Sequence, residues 1–389
     1  MKRSKRIFSI IFLFALTAIC HSCKNEVKTS PLKAVKKHSK TAIDHAKGFT
    51  MEKMATGVTL LKVNSPWPNA EDTYTYALVP KSKMAHITLN ADAYDAIIYT
   101  PVDRIVVTST THIPALDALN VLDHLVGFPN TDFVSSKKAR SLIDKGTIKD
   151  LGNNETLNPE MTLALKPDVV IGFGINDQNK GYNTLQRARI PVVYNGDWTE
   201  RTPLGKAEWI KFFAAFFDTE KTADSLFREI ETNYEQAKNM VKNVKKTPTV
   251  LSGGLYKDVW YVAGGKSWMA AFLNDANTNY LWRETKETGS IPLSVENVLE
   301  RGTNAEFWLN PSMHTSYSEM KAANRHYGWF DAFKNEKVFS NAIAKGPTGG
   351  LLFYELAPQR PDLVLKDLIA IFHPTVLPDH QSVFFKSLH

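Results

Sequence analysis

The chain has 389 residues, 43% of them hydrophobic and 22% charged, and a formal net charge of +7. This length and apolar content suffice for two modest hydrophobic cores. The net charge falls from +7 to +3 when the four cations at the extreme N-terminus leave with a signal peptide, and so small a value argues against a nucleic-acid-binding protein.

Residues 1–22 have the pattern of a signal peptide for export. Four cations precede an uncharged apolar run over 7–20, which is too short to span a bilayer comfortably. Ser22 then precedes Cys23, the order that a lipoprotein signal peptidase requires. We therefore predict lipidation of Cys23 and a periplasmic location on a membrane of the cell envelope, with an ordinary cleaved signal as the alternative.

The cysteines and the polar segment after the leader limit what the N-terminal part can do. Both cysteines, Cys20 and Cys23, belong to the leader region, so the folded body contains no pair for a disulfide. Residues 23–56 are rich in Lys, Ser, Thr and Asn, and we interpret them as a flexible tether. Residues 57–100 alternate like strands, and we expect a small antiparallel addition to the first lobe.

From residue 101 onward, strands alternate with helices, which is typical of a parallel sheet covered by helices. In the first lobe (57–218) we predict strands at 104–108, 168–172 and 190–194, and helices at 113–125 and 159–165. Polar, aromatic or glycine-containing loops follow the strands. Because ligands of open α/β sheets lie outside the carboxyl ends of the strands, these loops should form one wall of a binding site.

A long helix is predicted from about 220 to 245, within a linker spanning 219–246. Apolar residues repeat at three- and four-residue spacing, and neither glycine nor proline interrupts them. Strands at 249–252, 259–262 and 305–309 and helices at 268–275, 294–301 and 363–372 follow in the second lobe, 247–389. The predicted fold class is α/β, with two three-layer lobes of mainly parallel sheets joined by one long rigid helix.

Four stretches give the chain a resemblance to a known family. They are Asn158 to Ile171, the unbroken linker helix, Ser294 to Leu299 before a strand, and Arg360 to Pro374. In these stretches the chain resembles the helix-linked (class III, cluster A) substrate-binding proteins of ABC importers, which carry cobalamin, iron siderophores and haem. The resemblance covers about residue 105 to the C-terminus.

The resemblance implies partners and two docking residues. In the family, one glutamate on each lobe forms a salt bridge with arginines of the permease, and Glu160 and Glu296 occupy the matching positions. Exposed carboxylates near helix N-termini are stabilised by the helix dipole and free to meet a basic partner. The implied partners are an ABC permease with its ATPase, and the protein is expected to act as a monomer.

Residues that could line a cleft lie in or beside the connections between strands and helices. Aromatic rings there could grip a flat metal chelate, His112 could approach a ligand edge, and two arginines could pair with ligand carboxylates or hydroxamates. Packing in the core of a lobe, a capping role or surface ion pairs are the alternatives for each. The candidate ligand-binding residues are His112, Phe173, Trp198, Tyr256, Trp260, Trp268, Trp308, Arg325, Tyr354 and Arg360.

Several chemical motifs are excluded. Gly264-Gly265-Lys266-Ser267 lacks the first glycine of a phosphate-binding loop, and the sequence has neither a nucleophile elbow nor a zinc-protease motif. The histidines show no close ligand spacing, so we expect no cofactor and no bare metal ion, but a chelated metal as cargo. We predict a receptor for an iron siderophore rather than an enzyme. Cobalamin or haem binding, an exported enzyme of chelate processing, and a capture lipoprotein serving an outer-membrane transporter are the alternatives.

Overall fold

The computed structural model describes residues 39–154, 157–176 and 178–389. The predicted leader and Cys23 lie outside the described residues. In the described part, no helix is long and apolar enough to cross a membrane.

The strands of the described residues fall into four sheets. In chain order they are β1 (Ser39–Lys40), β2 (Phe49–Lys53), β3 (Thr59–Asn64), β4 (Thr73–Pro80), β5 (Ala96–Thr100), β6 (Ile105–Val107), β7 (Leu125–Phe128), β8 (Lys149–Asp150), β9 (Val169–Phe173), β10 (Val192–Asn195), β11 (Thr249–Ser252), β12 (Gly254–Tyr256), β13 (Val259–Ala263), β14 (Asn279–Tyr280), β15 (Ser290–Leu293), β16 (Phe307–Leu309), β17 (Val338–Ser340) and β18 (Lys386–Ser387).

The helices lie between these strands and cover the two central sheets. In chain order they are α1 (His112–Ala118), α2 (Lys137–Asp144), α3 (Pro159–Leu165), α4 (Lys180–Arg187), α5 (Pro203–Ala207), α6 (Ile210–Ala214), α7 (Glu220–Val241), α8 (Trp268–Asp275), α9 (Val295–Gly302), α10 (Tyr317–Ala323), α11 (Asp331–Lys334), α12 (Leu352–Leu356) and α13 (Pro361–Phe372).

The first lobe has an entirely parallel sheet in the order β10-β9-β6-β7-β8. Its central strands carry Val, Ile and Leu that are fully buried, as expected for strands covered on both faces. One predicted helix is wrong: α1 ends at Ala118 rather than near 125, and Leu125 begins β7. Asn120, with a φ of 58°, makes the left-handed turn between them.

The second lobe also has a central five-stranded sheet, with a different strand order. Its central sheet has the order β14-β11-β16-β17-β18 and is parallel except for the pairing of β17 with β18. A three-stranded antiparallel sheet, β12-β13-β15, follows the carboxyl end of β11. The two central, mainly parallel sheets confirm the predicted fold class.

The joining helix is α7, which has 22 residues and ends four residues earlier than predicted. At 1.5 Å per residue it spans about 33 Å. Its buried stripe consists of Ala223, Phe227, Ile230, Tyr234, Ala237 and Val241, and it packs along α13 and α6. A helix packed along its length resists bending, so the link between the lobes is stiff.

The N-terminal segment forms a sheet of its own, in the order β1-β2-β3-β4-β5. All pairs are antiparallel except β4 with β5, which is parallel. The predicted flexible tether over 23–56 is therefore wrong for its described end, because β1 and β2 belong to the sheet and Phe49 is 1% exposed. Polar composition concealed a strand whose few apolar residues all point inward.

Two buried carboxylates fasten this N-terminal sheet to the first lobe. Glu208 accepts hydrogen bonds from the backbone N–H groups of Asp44, His45 and Ala46 at 3.0, 2.8 and 2.8 Å. Glu200 accepts those of residues 47 and 48 at 2.7 and 2.8 Å. Lys211 completes the first site at 2.9 Å from Glu208. The sheet is thus an integral part of the lobe.

Candidate functional site

A cavity of about 500 Å³ lies between the two lobes. One wall follows the carboxyl ends of β6, β7 and β9, where a ligand site of a parallel sheet is expected. The other wall comes from the second lobe. The lining residues are Thr108, Ser109, Thr110, Phe128, Pro129, Asn130, Phe133, Asn154 and Phe173 on the first lobe, and Met313, Gly349, Leu351 and Tyr354 on the second.

A buried hydroxyl network fixes Phe173 in this wall. The Thr108 Oγ1 accepts a hydrogen bond from the backbone N–H of Phe173 at 2.8 Å and lies 2.9 Å from the Tyr182 hydroxyl. That hydroxyl donates in turn to the Phe173 carbonyl at 2.9 Å. Burial raises the pKa of Tyr182, so the phenol remains a donor. The backbone N–H and C=O groups of Phe173 are therefore both hydrogen-bonded, which fixes the position of this residue in the cavity wall.

The turn after β7 supplies the polar part of the wall. Asn130 has a φ of 52°, a left-handed conformation that asparagine tolerates, and its N–H donates to the Gly152 carbonyl at 2.6 Å. Asn154 also lines the cavity, and its side-chain carbonyl is buried without a hydrogen-bond partner among the described residues. A ligand donor placed there would satisfy this acceptor.

The cavity wall carries no charged side chain among the described residues that line it. Phe128, Phe133 and Phe173 provide aromatic surface on one side, and Met313 and Tyr354 lie opposite. Tyr354 is 59% exposed and Phe133 is 61% exposed, which is unusual for large rings without a bound partner. The lining therefore combines aromatic and apolar surface with a few amide and hydroxyl groups.

Glu355 joins the two lobes next to the cavity. Its carboxylate accepts the backbone N–H groups of Ser135 and Ser136 at 2.5 and 2.8 Å, at the N-terminus of α2. The Ser135 hydroxyl donates to the Gly350 carbonyl at 3.0 Å. Burial raises the pKa of Glu355 to about 7, against the opposing effect of the two N–H donors. These contacts set the spacing of the cavity walls.

A second interlobe contact lies at Lys206 and Trp268. The Lys206 ammonium sits 5.3 Å from the centre of the Trp268 ring, and donates to the carbonyls of Asp197 and Trp198 at 2.9 Å each. Burial lowers the pKa of Lys206 to about 8, while Asp197 opposes this change. The lysine is thus largely charged at pH 7, as a cation–π contact requires.

Of the ten predicted ligand-binding residues, the structure places Phe173 and Tyr354 in the cavity wall. Trp198 lies behind Phe173, with ring centres 5.6 Å apart. Trp268 lies behind the second wall, 5.5 Å from the ring of Phe353. Neither tryptophan lines the cavity: Trp198 packs on the cavity residue Phe173, and Trp268 packs on Phe353, which precedes the cavity residue Tyr354 in the chain.

His112 is fully buried and lies outside the cavity wall. Its ring packs 5.2 Å from that of Phe213, and neither ring nitrogen has a hydrogen-bond partner among the described residues. Burial lowers the pKa of His112 to about 4, although Asp197 and Asn195 oppose this shift. The prediction of ligand contact is corrected, because a neutral imidazole behind the strand ends cannot reach the cleft.

Trp260 and Trp308 require the same correction. Both are fully buried, and their rings stack with centres 5.1 Å apart. The indole N–H groups donate to the carbonyls of Ser252 and Gly253 at 3.3 and 2.7 Å. They form the core between the hairpin β12–β13 and the central sheet, because each projects from the inner face of its strand.

The remaining three predicted residues lie on the surface or in an ion pair. Tyr256 is 63% exposed on the outer face of the hairpin, and Arg325 is exposed beyond α10. Arg360 makes a two-point contact with Asp362 at 2.9 and 2.8 Å, which raises the pKa of the guanidinium. None of them lines the cavity. The sequence placed these residues in or beside connections between strands and helices but does not reveal the direction in which each side chain points.

The two predicted docking glutamates occupy equivalent places in the lobes. Glu160 is exposed in the first turn of α3, where the Asn158 side chain accepts the Met161 N–H at 2.9 Å. Glu296 is exposed in the first turn of α9, where Ser294 plays the same role at 3.3 Å. Its own backbone N–H and the Ser294 hydroxyl lower the pKa of Glu296. Both carboxylates are thus accessible to a partner.

Cavity residues that were not predicted from the sequence include Phe128, Asn130 and Phe133 on the first lobe, and Met313 and Leu351 on the second. The apolar run Leu125-Val126-Gly127-Phe128, ended by Pro129-Asn130, is the signal that could have revealed this strand and its loop. Glu355 was missed because its partners lie about 220 residues away. Among the described residues, no three His, Cys, Asp or Glu side chains lie close enough to hold a metal ion.

Comparison with known proteins agrees with this geometry. A family model described as "Periplasmic binding protein" matches residues 105–341. An uncharacterized lipoprotein of Methanocaldococcus jannaschii is 28% identical over 298 residues, covering 74% of this chain and 69% of its own length.

Solved structures show the same fold at low identity. A periplasmic heme-binding protein from Pseudomonas aeruginosa has a TM-score of 0.56 at 18% identity, covering 74% of this chain and 98% of the other. A possible iron-binding periplasmic solute-binding protein from Staphylococcus epidermidis has a TM-score of 0.54 at 20% identity, covering 70% and 100%. The family consists of substrate-binding components rather than enzymes. This chain, with its two parallel-sheet lobes, its joining helix and its interlobe cavity, belongs to the periplasmic binding protein family.

Proposed function

We propose that this protein captures an uncharged metal chelate, a ferric siderophore of the hydroxamate type, and delivers it to an ABC permease. The observation that supports this choice is the absence of charged side chains from the described cavity wall. Three hydroxamate groups balance the charge of ferric iron, whereas a ferric tris-catecholate is strongly anionic and haem carries two propionates. A buried anion without a cationic partner would be costly to desolvate.

The polar groups of the wall suit such a chelate. Asn130 and Asn154 offer amide groups, Ser109 and Thr110 offer hydroxyls, and the phenylalanine rings can cover the organic backbone of the ligand. A corrinoid is the second candidate, because its amide side chains would also meet Asn130 and Asn154. The heme-binding neighbour from Pseudomonas aeruginosa makes haemin the third ligand to test.

The test is a titration of the purified protein, followed by tryptophan fluorescence and by visible absorption. A ferric tris-hydroxamate should bind, and Phe173→Ala should weaken that binding at least about tenfold, which corresponds to about 1.4 kcal/mol. Trp329→Ala is the matched control, since Trp329 is 51% exposed and lies outside the cavity wall. Tighter binding of haemin or of a ferric tris-catecholate than of the neutral chelate would refute the proposal.

Delivery would use the exposed glutamates on the two lobes. We expect the double change Glu160→Ala and Glu296→Ala to abolish chelate uptake by cells while the purified protein keeps its affinity. Glu229→Ala with Glu300→Ala is the control, because it removes the same charge from two other exposed positions. Unimpaired uptake in the first double variant would rule out docking through these residues.

Lipidation of Cys23 would hold the receptor at the membrane that contains the permease. Tethering raises the effective concentration of one partner near the other and adds avidity without new contacts. The Methanocaldococcus jannaschii relative is named a lipoprotein, which supports this part of the proposal. The expected cargo leaves the receptor chemically unchanged, so no turnover of the chelate should be seen.

A further inference from the structure

The loop 65–72, which joins β3 to β4 in the N-terminal sheet, lies against the cavity-wall segment that follows β9. Trp67 is 8% exposed, and its ring lies next to Gly174, where an added Cβ would be 3.4 Å from the indole. Gly174 directly follows the cavity residue Phe173. The tryptophan therefore contacts the residue next to Phe173 without lining the cavity itself.

The same loop also supports the segment that follows β10. Pro66 approaches Gly196 so closely that an added Cβ would stand 2.9 Å from the proline Cα. The Trp67 ring packs edge-on against Tyr194, with centres 5.1 Å apart. Gly196 leads into Trp198, whose ring rests on Phe173. One loop of the N-terminal sheet thus contacts the wall segment after β9 and the segment after β10 that carries Trp198.

The loop has a firm base on the first lobe. The Tyr76 hydroxyl on β4 accepts the Tyr194 N–H at 3.0 Å, and the sheet itself is fastened through Glu200 and Glu208. Trp67 is held by Tyr74 on the same sheet, with ring centres 5.8 Å apart. A support that is rigid at its base can fix the position of what it touches.

We infer that Trp67 is a positioning residue for the ligand cleft, which fixes the placement of Phe173 and thereby the affinity for the chelate. The residue lies before position 105, where the match to the family model begins, so this determinant of binding stands outside the matched part of the chain. The inference rests on the proposed function, because it concerns the same cavity.

The experiment compares Trp67→Ala with Trp67→Phe, Phe49→Ala and Phe173→Ala in the full-length protein. Phe49 is the matched control: it is a buried aromatic residue of the same sheet, but it packs on Trp209 and Phe212 rather than on the cavity wall. With a ferric tris-hydroxamate as the probe, Trp67→Ala should weaken binding about tenfold, the effect expected when one well-packed aromatic contact is lost. Trp67→Phe should restore most of the affinity, and Phe49→Ala should change it less than about twofold.

A ligand-independent measurement accompanies the titration. Amide hydrogen exchange in residues 173–176 should become at least about tenfold faster in Trp67→Ala and remain unchanged in Phe49→Ala. Unchanged exchange and affinity in Trp67→Ala, together with weakened binding in Phe173→Ala, would overturn the positioning role and leave the cleft assignment standing. Undiminished affinity in Phe173→Ala would overturn the cleft assignment and this inference with it.

Discussion

Glu355 makes the stability of the protein depend on pH in a predictable direction. Burial raises the pKa of Glu355 from its ordinary value of 4.5 to about 7. At about 1.36 kcal/mol for each pKa unit, this shift corresponds to about 3 kcal/mol. A raised pKa means that the folded protein holds a proton that the unfolded chain releases. The stability from this group is complete below pH 4.5 and is lost as the pH rises through about 7.

Glu355→Gln removes the titration and keeps one oxygen as an acceptor for a backbone N–H. We expect the free energy of unfolding of the unmodified protein to fall, between pH 5 and pH 8, by about 2 to 3 kcal/mol more than that of the variant. Urea unfolding at several pH values measures both curves. Asp117 also contributes to the high pKa of Glu355, and it is paired with Lys138 at 3.1 Å, which limits its effect.

The control is Glu300→Gln, at an exposed position in α9. It should leave the pH dependence as it is in the unmodified protein. Parallel curves for the unmodified protein and Glu355→Gln would refute the reasoning, because they would show that the carboxylate ionises in the folded protein as easily as in the unfolded chain. The variant should also show whether chelate affinity shares this pH dependence, since Tyr354 in the cavity wall is its neighbour.

Three further changes test other parts of the structure. Glu208→Ala leaves three backbone N–H groups without their acceptor and removes the carboxylate partner of the buried Lys211. Urea unfolding should therefore show a loss of about 4 kcal/mol, against less than about 0.5 kcal/mol for Glu300→Ala. Trp308→Phe should lower the free energy of unfolding by about 2 kcal/mol in the same assay, because the ring lies in the core. It should keep chelate affinity within about twofold, and a large loss of affinity in folded protein would contradict that placement. Cys23→Ser should release the protein from membranes in a cell-fractionation experiment, and continued membrane association would refute the anchor.

Periodic and well-capped elements could be predicted from the sequence. The helix 159–165 has an asparagine cap and a proline in its first turn, and the structure has the same bounds. The strand 249–252 and the helix 268–275 also agree, because apolar runs bounded by polar residues carry a local signal. The helix predicted to reach Leu125 failed because helix α1 ends at a left-handed asparagine that the apolar spacing did not reveal.

The binding site was less predictable than the fold. The sequence indicates which loops follow the strands, and Phe173 was recognised on that basis. The sequence does not show which face of a hairpin turns inward. Both Trp260 and Tyr256 were therefore predicted to line the cleft, but Trp260 lies in the core and Tyr256 lies on the outer surface. Contacts between distant segments, such as Glu355 with Ser135 and Trp67 with Gly174, depend on tertiary packing and leave no local pattern.

The fastening of the N-terminal sheet also bears on the order of folding during synthesis. Its backbone donors near His45 appear in the chain more than 150 residues before their acceptors, Glu200 and Glu208. Until the acceptors emerge, strand β2 and Phe49 lack the surface on which they are buried, and contacts between such distant segments form late. A chain interrupted before residue 200 would therefore expose the apolar face of β2, which carries Phe49 and Met51, and such surface is what chaperones and proteases recognise.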